Sequence, residues 1–396
     1  MVRTEPPMPA SVRRASAAII AALLAVTAGA VAGTVQAAAQ QTKAPERKTK
    51  QVLKVETLAN GLAHPWGLAV LPDRRLIVTE RPGRLRLIAK EGKVSAPIKG
   101  VPDVAAAGQG GLLDVALSTD FASSKVIFLS YAERREGGGA ATTVARAKLV
   151  LEGESGHLDE VKAIFRQEPE ATGGIHFGAR IIPVRDGTLF ITLGERGQRD
   201  KAQDLATHYG KVVRIKLDGS VPADNPFVKQ AGARPEIWSY GHRNVQGAAL
   251  HPGTSKLWTV EHGARGGDEI NIALAGKNHG WPVITYGRDY TGLRIGEGTA
   301  KAGMEQPVYY WDPSIAPSGL AFYNSDRIPE WKGSLLVGAL RGQALHRLIL
   351  DGDKVVGEEV LLADQGERIR DVVVSPDGAV WLLTDSPQGK VLRLGL

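Results

Sequence analysis

The chain of 396 residues contains no cysteine, and aromatic residues make up only 6% of it. Without cysteine the protein can form no disulfide bond, so an oxidising compartment would neither stabilise nor damage its fold. The scarcity of aromatic residues does not exclude a large core, because 43% of the residues are hydrophobic. The composition therefore predicts a large globular fold without covalent cross-links.

The sequence also lacks several motifs of common enzymes and any concentrated charge. No G-x-G-x-x-G opens a helix after a strand, and neither a P-loop nor a G-x-S-x-G motif occurs. Nicotinamide, ATP and serine hydrolase chemistry are therefore not expected. The formal net charge of +7 is modest and scattered, so nucleic-acid binding is not expected.

The N-terminal segment has the features of a signal peptide. Arg13 and Arg14 precede an apolar run at residues 17–35, and three alanines follow as an A-x-A cleavage site. This pattern predicts a signal peptide over residues 1–39 and a periplasmic protein, with a polar, flexible spacer over residues 40–51. The alternative is that the apolar run is retained as a membrane anchor. No later segment is apolar enough to span a bilayer.

One pattern recurs six times in the rest of the chain: an apolar strand, a turn with Asp, Gly or Pro, and a second apolar strand ending in Thr, Glu or Asp. The copies begin at Gly67, Gly111, Ala179, Gly247, Gly319 and Arg370. A third strand of alternating basic and apolar residues follows most copies, at residues 84–88, 211–217, 344–350 and 390–394. Such alternation with turn residues between is typical of antiparallel β-meanders.

Six such units predict an all-β fold over residues 52–396, a six-bladed β-propeller of four-stranded antiparallel blades. A closed ring of blades hides strand edges that would otherwise invite aggregation. A β-sandwich or barrel is the alternative, but it does not account for six similar copies. Loops at one end of the central channel are the usual site in a propeller, so the longer insertions, at residues 133–142, 195–208 and 286–307, are expected to contact substrate and partners.

The densest set of polar residues lies between Trp238 and Asn271, where two glycine-bearing loops flank one apolar hairpin. So many polar side chains are costly to bury, so this stretch is either a solvated loop or a functional site. Its polar residues are Arg243, Asn244, Gln246, Glu261, His262, Asp268, Glu269 and Asn271.

Four arginines begin or end the repeated units, namely Arg243, Arg341, Arg368 and Arg370. Taken singly, each has the character of a surface cation. If all four converge on one channel, they would form a receptor for a ligand with several carboxylates, because guanidinium groups bind carboxylates in a bidentate manner.

Two glycine-rich segments carry candidate ligand-contacting residues. His176 lies in G-G-I-H-F-G, where the glycines leave the imidazole room to act as a general base at neutral pH. Gln109 lies in G-Q-G-G and has room to approach a ligand closely. The alternatives are a structural histidine and a flexible turn.

A third segment suggests a cation site. Gly263 and Ala264 lie between acidic and histidine neighbours, and their carbonyl groups could bind Ca²⁺, which prefers oxygen ligands. Zinc is not indicated, because the spacing of His242, His262 and His279 matches no standard ligand pattern.

From about Leu58 to Leu394, the chain resembles the soluble PQQ-dependent aldose sugar dehydrogenases of the glucose/sorbosone dehydrogenase family, which are six-bladed propellers. The resemblance rests on eight motifs distributed over the predicted blades: H-P-W-G-L, G-Q-G-G-L-L-D-V-A, G-x-H-F-G-x-R, Y-G-H-R-N-x-Q-G, D-E-I-N, N-H-G-W-P, A-P-S-G and R-I-R-D-V-V-V-S-P-D-G.

The resemblance implies an enzyme that oxidises an aldose to its lactone and passes electrons to a periplasmic acceptor. His176 would take the proton from the C1 hydroxyl while hydride passes to C5 of PQQ, and Gln109 would line the same pocket. The implied PQQ contacts are Arg243, Asn244 and Gln246, the carboxylate-binding pair Arg368 and Arg370, and Arg341 in place of a lysine.

The resemblance also implies two Ca²⁺ ions. Gly263 and Ala264 would bind the ion that polarises PQQ, while Glu269 and a carbonyl near His279 would hold a second, structural ion. Ile175 departs from the family pattern, because glucose-specialised members carry an acidic residue before the catalytic histidine. The implied substrate range is therefore broad, and the chain lacks the long inserts of the dimeric glucose enzyme, so a monomer is expected.

Two other functions remain open at the level of sequence. A calcium-dependent propeller lactonase would need carboxylate and asparagine ligands at the channel centre and would not need the arginines. A non-catalytic binding propeller would keep the fold alone.

Overall fold

The computed structural model describes residues 40–41 and 43–396. The predicted signal peptide lies outside the described residues. The strands in chain order are β1 (Gln40–Gln41), β2 (Lys54–Leu62), β3 (Pro65–Val70), β4 (Leu76–Glu80), β5 (Arg84–Ile88), β6 (Leu112–Leu117), β7 (Val126–Arg134), β8 (Ala140–Glu152), β9 (Ser155–Arg166), β10 (Ile181–Pro183), β11 (Thr188–Thr192), β12 (Lys211–Lys216), β13 (Ile237–Tyr240), β14 (Val245–Leu250), β15 (Leu257–Glu261), β16 (Asp268–Ile272), β17 (Tyr309–Trp311), β18 (Pro317–Phe322), β19 (Leu335–Ala339), β20 (Ala344–Asp351), β21 (Lys354–Leu361), β22 (Ile369–Val374), β23 (Val380–Thr384) and β24 (Gly389–Gly395).

Helical structure in the described residues is confined to short turns. There is one α-helix, Phe121–Ser124, and three 3₁₀ turns, at Arg199–Gln203, Pro329–Trp331 and Ala363–Gln365. Over this part of the chain, no helix has the length and apolar character needed to cross a bilayer.

Strands β2–β24 form six antiparallel sheets that are the blades of a β-propeller, which confirms the predicted fold, and the two-residue β1 pairs parallel with β17 at the edge of one of them. Blade 1 is β3–β5, blade 2 is β6–β9, blade 3 is β10–β13, blade 4 is β14–β17, blade 5 is β18–β21, and blade 6 is β22–β24 with β2. The first strand of each blade contacts the first strand of the next, and β22 contacts β3, so the ring closes. All six sequence repeats coincide with the first two strands of a blade.

Blade 1 has three regular strands rather than four. Its fourth position is taken by an irregular run in which Ser95 and Ile98 donate backbone hydrogen bonds to Leu87 and Leu85, each of 2.8 Å. Pro97 lies between them and has no N–H to donate, so a regular ladder cannot continue there.

The last blade is completed by the first long strand of the chain. β2 pairs antiparallel with β24, with Lys54 opposite Gly395 and Thr57 opposite Leu392. The repeats found in the sequence begin at Gly67 and gave no indication of this strand, which is polar and mostly exposed. The ring is therefore closed by hydrogen bonds between the two ends of the fold.

The core consists of apolar layers between neighbouring blades. Trp258, Trp311 and Val337 pack between blades 4 and 5, and Leu336 and Val372 pack between blades 5 and 6. The second strands of blades 4 and 5, β15 and β19, are covered on both faces, so they are buried at every position instead of alternating between buried and exposed.

Residues 43–50, assigned from sequence to a flexible spacer, contact the outer edge of blade 5. Arg47 donates its backbone N–H to Glu358 O at 2.9 Å, and Glu358 returns one to Pro45 O at 3.0 Å. Thr49 Oγ1 donates to Glu359 Oε2 at 2.8 Å. The spacer prediction did not foresee these contacts, because polar composition gives no sign of pairing with a distant strand.

Five blades meet on the propeller axis at a buried group that we call the axial ion cluster, Arg180 with Asp114 and Asp371. Arg180 Nη1 lies 2.8 Å from Asp114 Oδ1 and 3.0 Å from Asp371 Oδ1, and Nε donates to Gln246 O at 3.3 Å. Asp371 Oδ2 also accepts the N–H of Leu68 at 3.0 Å. Burial, with repulsion from Asp371, raises the pKa of Asp114 to about 6, against the attraction of Arg180.

Candidate active site

A cavity of about 230 Å³ opens beside the axial ion cluster. Its walls come from the loops and strand ends of several blades. The lining residues are Trp66, Arg81, Gln109, Leu113, Phe177, Gly178, Asn244, Gln246, His262, Ala316, Leu340, Arg368, Arg370 and Asp385. Five residues predicted from sequence to contact one ligand are therefore brought together here: Gln109, Asn244, Gln246, Arg368 and Arg370.

One wall of the cavity carries an excess of positive charge. Arg368 Nη2 and Arg370 Nη2 share Asp385 Oδ2, at 2.8 Å and 3.4 Å, and Arg370 Nη1 donates to Gln246 Oε1 at 3.0 Å. The pKa of Arg370 is lowered to about 10, mainly by burial, with repulsion from Arg368 and Arg81 adding to this and the attraction of Asp385 opposing it. Burial would raise the pKa of Asp385, but the arginines hold it at about 2.

This wall has donors that the protein does not satisfy. Within residues 43–396, the Nε atoms of Arg81 and Arg370 are buried without a hydrogen-bond partner. A buried donor without an acceptor is costly. A ligand with carboxylate groups would satisfy these donors and neutralise the cations.

The R-N-x-Q loop leads into β14 and forms another wall. Asn244 Oδ1 accepts hydrogen bonds from Gly178 N and Gln246 Nε2, both at 3.2 Å. Arg243 lies one step outside the lining residues: its Nη1 donates to the carbonyl of His262, which does line the cavity, at 3.3 Å. Its Nη2 also lies 3.5 Å from the hydroxyl of the exposed Tyr290.

His176 lies in a loop of residues 173–178 at the edge of the cavity. Its φ of 54° is in the left-handed region, and its N–H donates to Gln109 Oε1 at 2.8 Å. Its Nδ1 lies 3.0 Å from Oε1 of the buried Glu195. With Nδ1 donating to this carboxylate, Nε2 is the nitrogen left to accept a proton, which suits a general base.

The structure does not bring Arg341 into the cavity. Its backbone N–H donates to Ile315 O at 3.0 Å, but its side chain is exposed, and the neighbouring Leu340 lines the cavity instead. Arg341 therefore does not line this cavity, and its contact with the cofactor stays a prediction.

The residues predicted to bind calcium lie in and after a tight loop beyond β15. Gly263 N donates to Asp268 Oδ1 at 2.8 Å, and a Cβ at Gly263 would lie 2.1 Å from Gly266 O, so only glycine fits. Among the described residues, no three or more His, Asp or Glu side chains are grouped to hold a metal. A cation at Gly263 and Ala264 would have to rely on main-chain oxygens.

Glu269 faces a second acidic residue. Asn271 Nδ2 donates to Glu269 Oε2 at 3.2 Å and to Glu261 Oε1 at 3.0 Å. Burial and the carboxylates of Glu261 and Asp268 raise the pKa of Glu269 to about 8. Within residues 43–396, Asn271 Oδ1 is buried without a partner, so oxygen atoms and negative charge are in excess here and fit a cation.

Sequence reasoning did not identify Glu195 and Asp385, and it named Glu261 without assigning it a partner. Glu195 holds His176, Glu261 accepts the N–H of Arg243 at 2.7 Å, and Asp385 holds two arginines. Each lies at or just after the end of the second strand of its unit, where the repeat ends in Thr, Glu or Asp. That recurring position was the signal that could have identified all three.

Comparison with known proteins agrees with this architecture. The model of the Glucose / Sorbosone dehydrogenase family matches residues 62–393. The chain is 48% identical over 345 residues to the aldose sugar dehydrogenase YliI of Escherichia coli (strain K12), covering 86% of this chain and 92% of the relative. The crystal structure of the soluble aldose sugar dehydrogenase from Escherichia coli in the apo-form has a TM-score of 0.84 at 48% identity, over 87% of this chain and 99% of the other. The PQQ-bound form of the aldose sugar dehydrogenase from Streptomyces coelicolor has a TM-score of 0.72 at 30% identity, over 88% and 99% of the two chains. The chain therefore belongs to the glucose/sorbosone dehydrogenase family.

Proposed function

We propose that this protein is a PQQ- and calcium-dependent dehydrogenase that oxidises aldose sugars at C1 to lactones. The observation that carries the proposal is an oriented histidine, His176, at the edge of a cavity with unsatisfied arginine donors. We further propose that the protein acts in the periplasm as a monomer, after removal of residues 1–39, and passes electrons to a periplasmic acceptor.

The residues of the cavity fit PQQ, which carries several carboxylates. The free Nε groups of Arg81 and Arg370 and the repulsion among the arginines support binding of such a ligand. Arg368, Arg370 and Gln246 would hold the cofactor, with Asn244 and Arg243 beside them. When bound, PQQ supplies a quinone that accepts two electrons as hydride.

The protein's own residues supply the base that accepts the proton and hold that base in position. His176 Nε2 would accept the proton of the C1 hydroxyl, while Glu195 at Nδ1 fixes the ring and stabilises the imidazolium. Gln109 holds the backbone of His176, and the apolar side chains of Leu113 and Phe177 line the cavity. Ile175 is 42% exposed and offers the sugar no polar side-chain contact, which supports a broad aldose range.

The axial ion cluster weighs against a calcium-dependent lactonase. Asp114 and Asp371, the acidic residues on the axis, are already paired with Arg180. A cation there would compete with a buried guanidinium.

The test of the proposed function is PQQ binding by the cofactor-free protein in the presence of Ca²⁺. We expect wild-type protein to bind PQQ in a calorimetric titration, and Arg370→Gln to bind it about 10–100-fold more weakly, because a hydrogen bond to a charged group contributes about 1.5–3 kcal/mol. Arg393→Gln, on the outer face of blade 6, is the matched control and should bind normally. Wild-type protein that does not bind PQQ would contradict the proposal.

Calcium removal gives a separate prediction. Chelation by EGTA is expected to lower the Tm by several degrees, because a ligand at about 100 times its Kd stabilises a protein by about 2.7 kcal/mol. Added Ca²⁺ should restore the Tm. In Glu269→Gln, added Ca²⁺ should raise the Tm by less than in wild type. In Glu297→Gln, which changes an exposed acidic residue, Ca²⁺ should raise the Tm as much as in wild type. Equal Tm values with Ca²⁺ and with EGTA would refute a structural calcium ion.

A further inference from the structure

Arg196, directly after Glu195, is a buried cation whose hydrogen-bond acceptors are all main-chain carbonyls. It is 2% exposed, with φ at 59°. Its Nε donates to Ile175 O at 2.8 Å, its Nη1 donates to Ala140 O at 3.1 Å, and its Nη2 donates to Gly173 O. The guanidinium also lies over the ring of Phe177, 3.6 Å from its centroid.

These contacts converge on the loop that carries His176. Two of the three carbonyls and the stacked ring belong to residues 173–178, and the third carbonyl fixes the loop to blade 2. His176 itself has a left-handed backbone, which costs a non-glycine residue about 1–3 kcal/mol and persists only where the surroundings determine it.

We propose that Arg196 is a positioning residue for the reaction, because it holds residues 173–178 in the conformation that places His176 at the edge of the cavity. This inference rests on the proposed role of His176 and extends it to a residue that need not contact substrate or cofactor. Burial lowers the pKa of Arg196 to about 10, so the group stays charged at neutral pH.

The chemistry of arginine suits this task. A planar guanidinium has five N–H donors in a fixed plane, so it can reach three carbonyls and stack on an aromatic ring at once. Lysine has three donors on one atom and no plane to stack. Arg196→Lys should therefore keep the charge but lose the ring contact and at least one acceptor.

Lys211 provides a matched control in the same part of the chain. Its buried Nζ donates to the carbonyls of Lys201, Ala202 and Tyr209 at 3.1, 3.0 and 2.6 Å. It is thus a second buried basic side chain held by three carbonyls, although burial lowers its pKa to about 7, and none of its acceptors belongs to residues 173–178. Lys211→Met should lower the stability of the protein without loosening His176.

The first experiment measures amide hydrogen exchange in the cofactor-free protein, at the His176 N–H that donates to Gln109. We expect exchange at His176 to be at least 10-fold faster in Arg196→Ala than in wild type, and to stay at the wild-type rate in Lys211→Met. Arg196→Lys should also accelerate exchange, and it carries the test if the alanine variant does not fold. Unchanged exchange in the folded Arg196 variants would overturn the proposal, whatever the protein does with sugar.

The second experiment uses the PQQ-loaded enzyme. Arg196→Ala is expected to lower kcat by about 10–100-fold with KM within a few-fold, since a displacement of about 1 Å can cost about 100-fold in rate. Millimolar guanidinium should restore part of kcat in Arg196→Ala, and equimolar urea, its neutral isostere, should not. If the Arg196 and Lys211 variants lose kcat equally, the role of Arg196 is only structural. If wild-type enzyme is inactive with PQQ while exchange at His176 still depends on Arg196, the proposed function fails and the positioning role stands.

Discussion

Replacing His176 with alanine is expected to lower kcat for aldose oxidation by about 10²–10⁴-fold, the usual contribution of a general base. PQQ binding should change little, because Arg368, Arg370 and Gln246, which would hold the cofactor, are left in place. Dye reduction by the PQQ- and Ca²⁺-loaded enzyme, with a panel of aldoses, measures the loss. Glu195→Gln should give a smaller loss, because the imidazole would remain but its carboxylate partner would not.

The control for this prediction is a histidine far from the cavity. His157 lies on the outer strand β9, and His157→Ala should retain wild-type kcat. Activity in His176→Ala within a few-fold of wild type would show that another group accepts the proton. The next candidate would then be His262, whose Nε2–H donates to Pro317 O at 2.7 Å beside the cavity.

The largest expected effect on stability comes from the axial ion cluster. Arg180→Met is expected to lower the free energy of unfolding by about 3–5 kcal/mol, because it leaves Asp114 and Asp371 buried without their cation. Chemical denaturation monitored by fluorescence would measure the change. The triple variant Arg180→Met, Asp114→Asn, Asp371→Asn should recover much of the loss, since no unpaired charge remains.

The loss of unfolding free energy in Arg180→Met should be larger at higher pH. The pKa of Asp114 is raised from 3.8 to about 6, so the folded protein binds a proton more tightly than the unfolded chain. The stabilisation that this proton provides is present at low pH and is lost as pH rises through about 6. Removing Arg180 raises this pKa further, so the deficit should be small near pH 5 and larger near pH 7.5. A deficit that is independent of pH, or below 1 kcal/mol throughout, would contradict this account.

The fold was accessible from sequence because most blades repeat one local pattern. Strands such as β4 and β15 are buried at every position and mostly apolar, since neighbouring blades cover both faces, and their turns carry Asp, Gly or Pro. The pairing of β2 with β24 was not accessible. It joins positions more than 300 residues apart through backbone hydrogen bonds, and the side chains of β2 are mostly exposed.

Part of the site could also be predicted from the sequence, because its residues lie in recognisable motifs. Motifs in separate blades identified Gln109, Gln246 and Arg370, which the ring brings to one cavity. Glu195 and Asp385 were missed, because which carboxylate meets which cation depends on how the strands end around the axis. Arg341 shows the converse: its place in the chain suggested a cofactor contact, yet the turn after β19 leaves its side chain in solvent.

The closure of the ring by β2 and β24 also determines when the chain is at risk of aggregation. β2 precedes its partner β24 by more than 300 residues, so blade 6 stays incomplete until β24 has been made. Loss of only the seven residues of β24 would uncover backbone edges on both β2 and β23. Unpaired edges recruit other chains. A chain that lacks β24 is therefore prone to aggregate, and the residues of β24 protect against aggregation although they lie far from any chemistry.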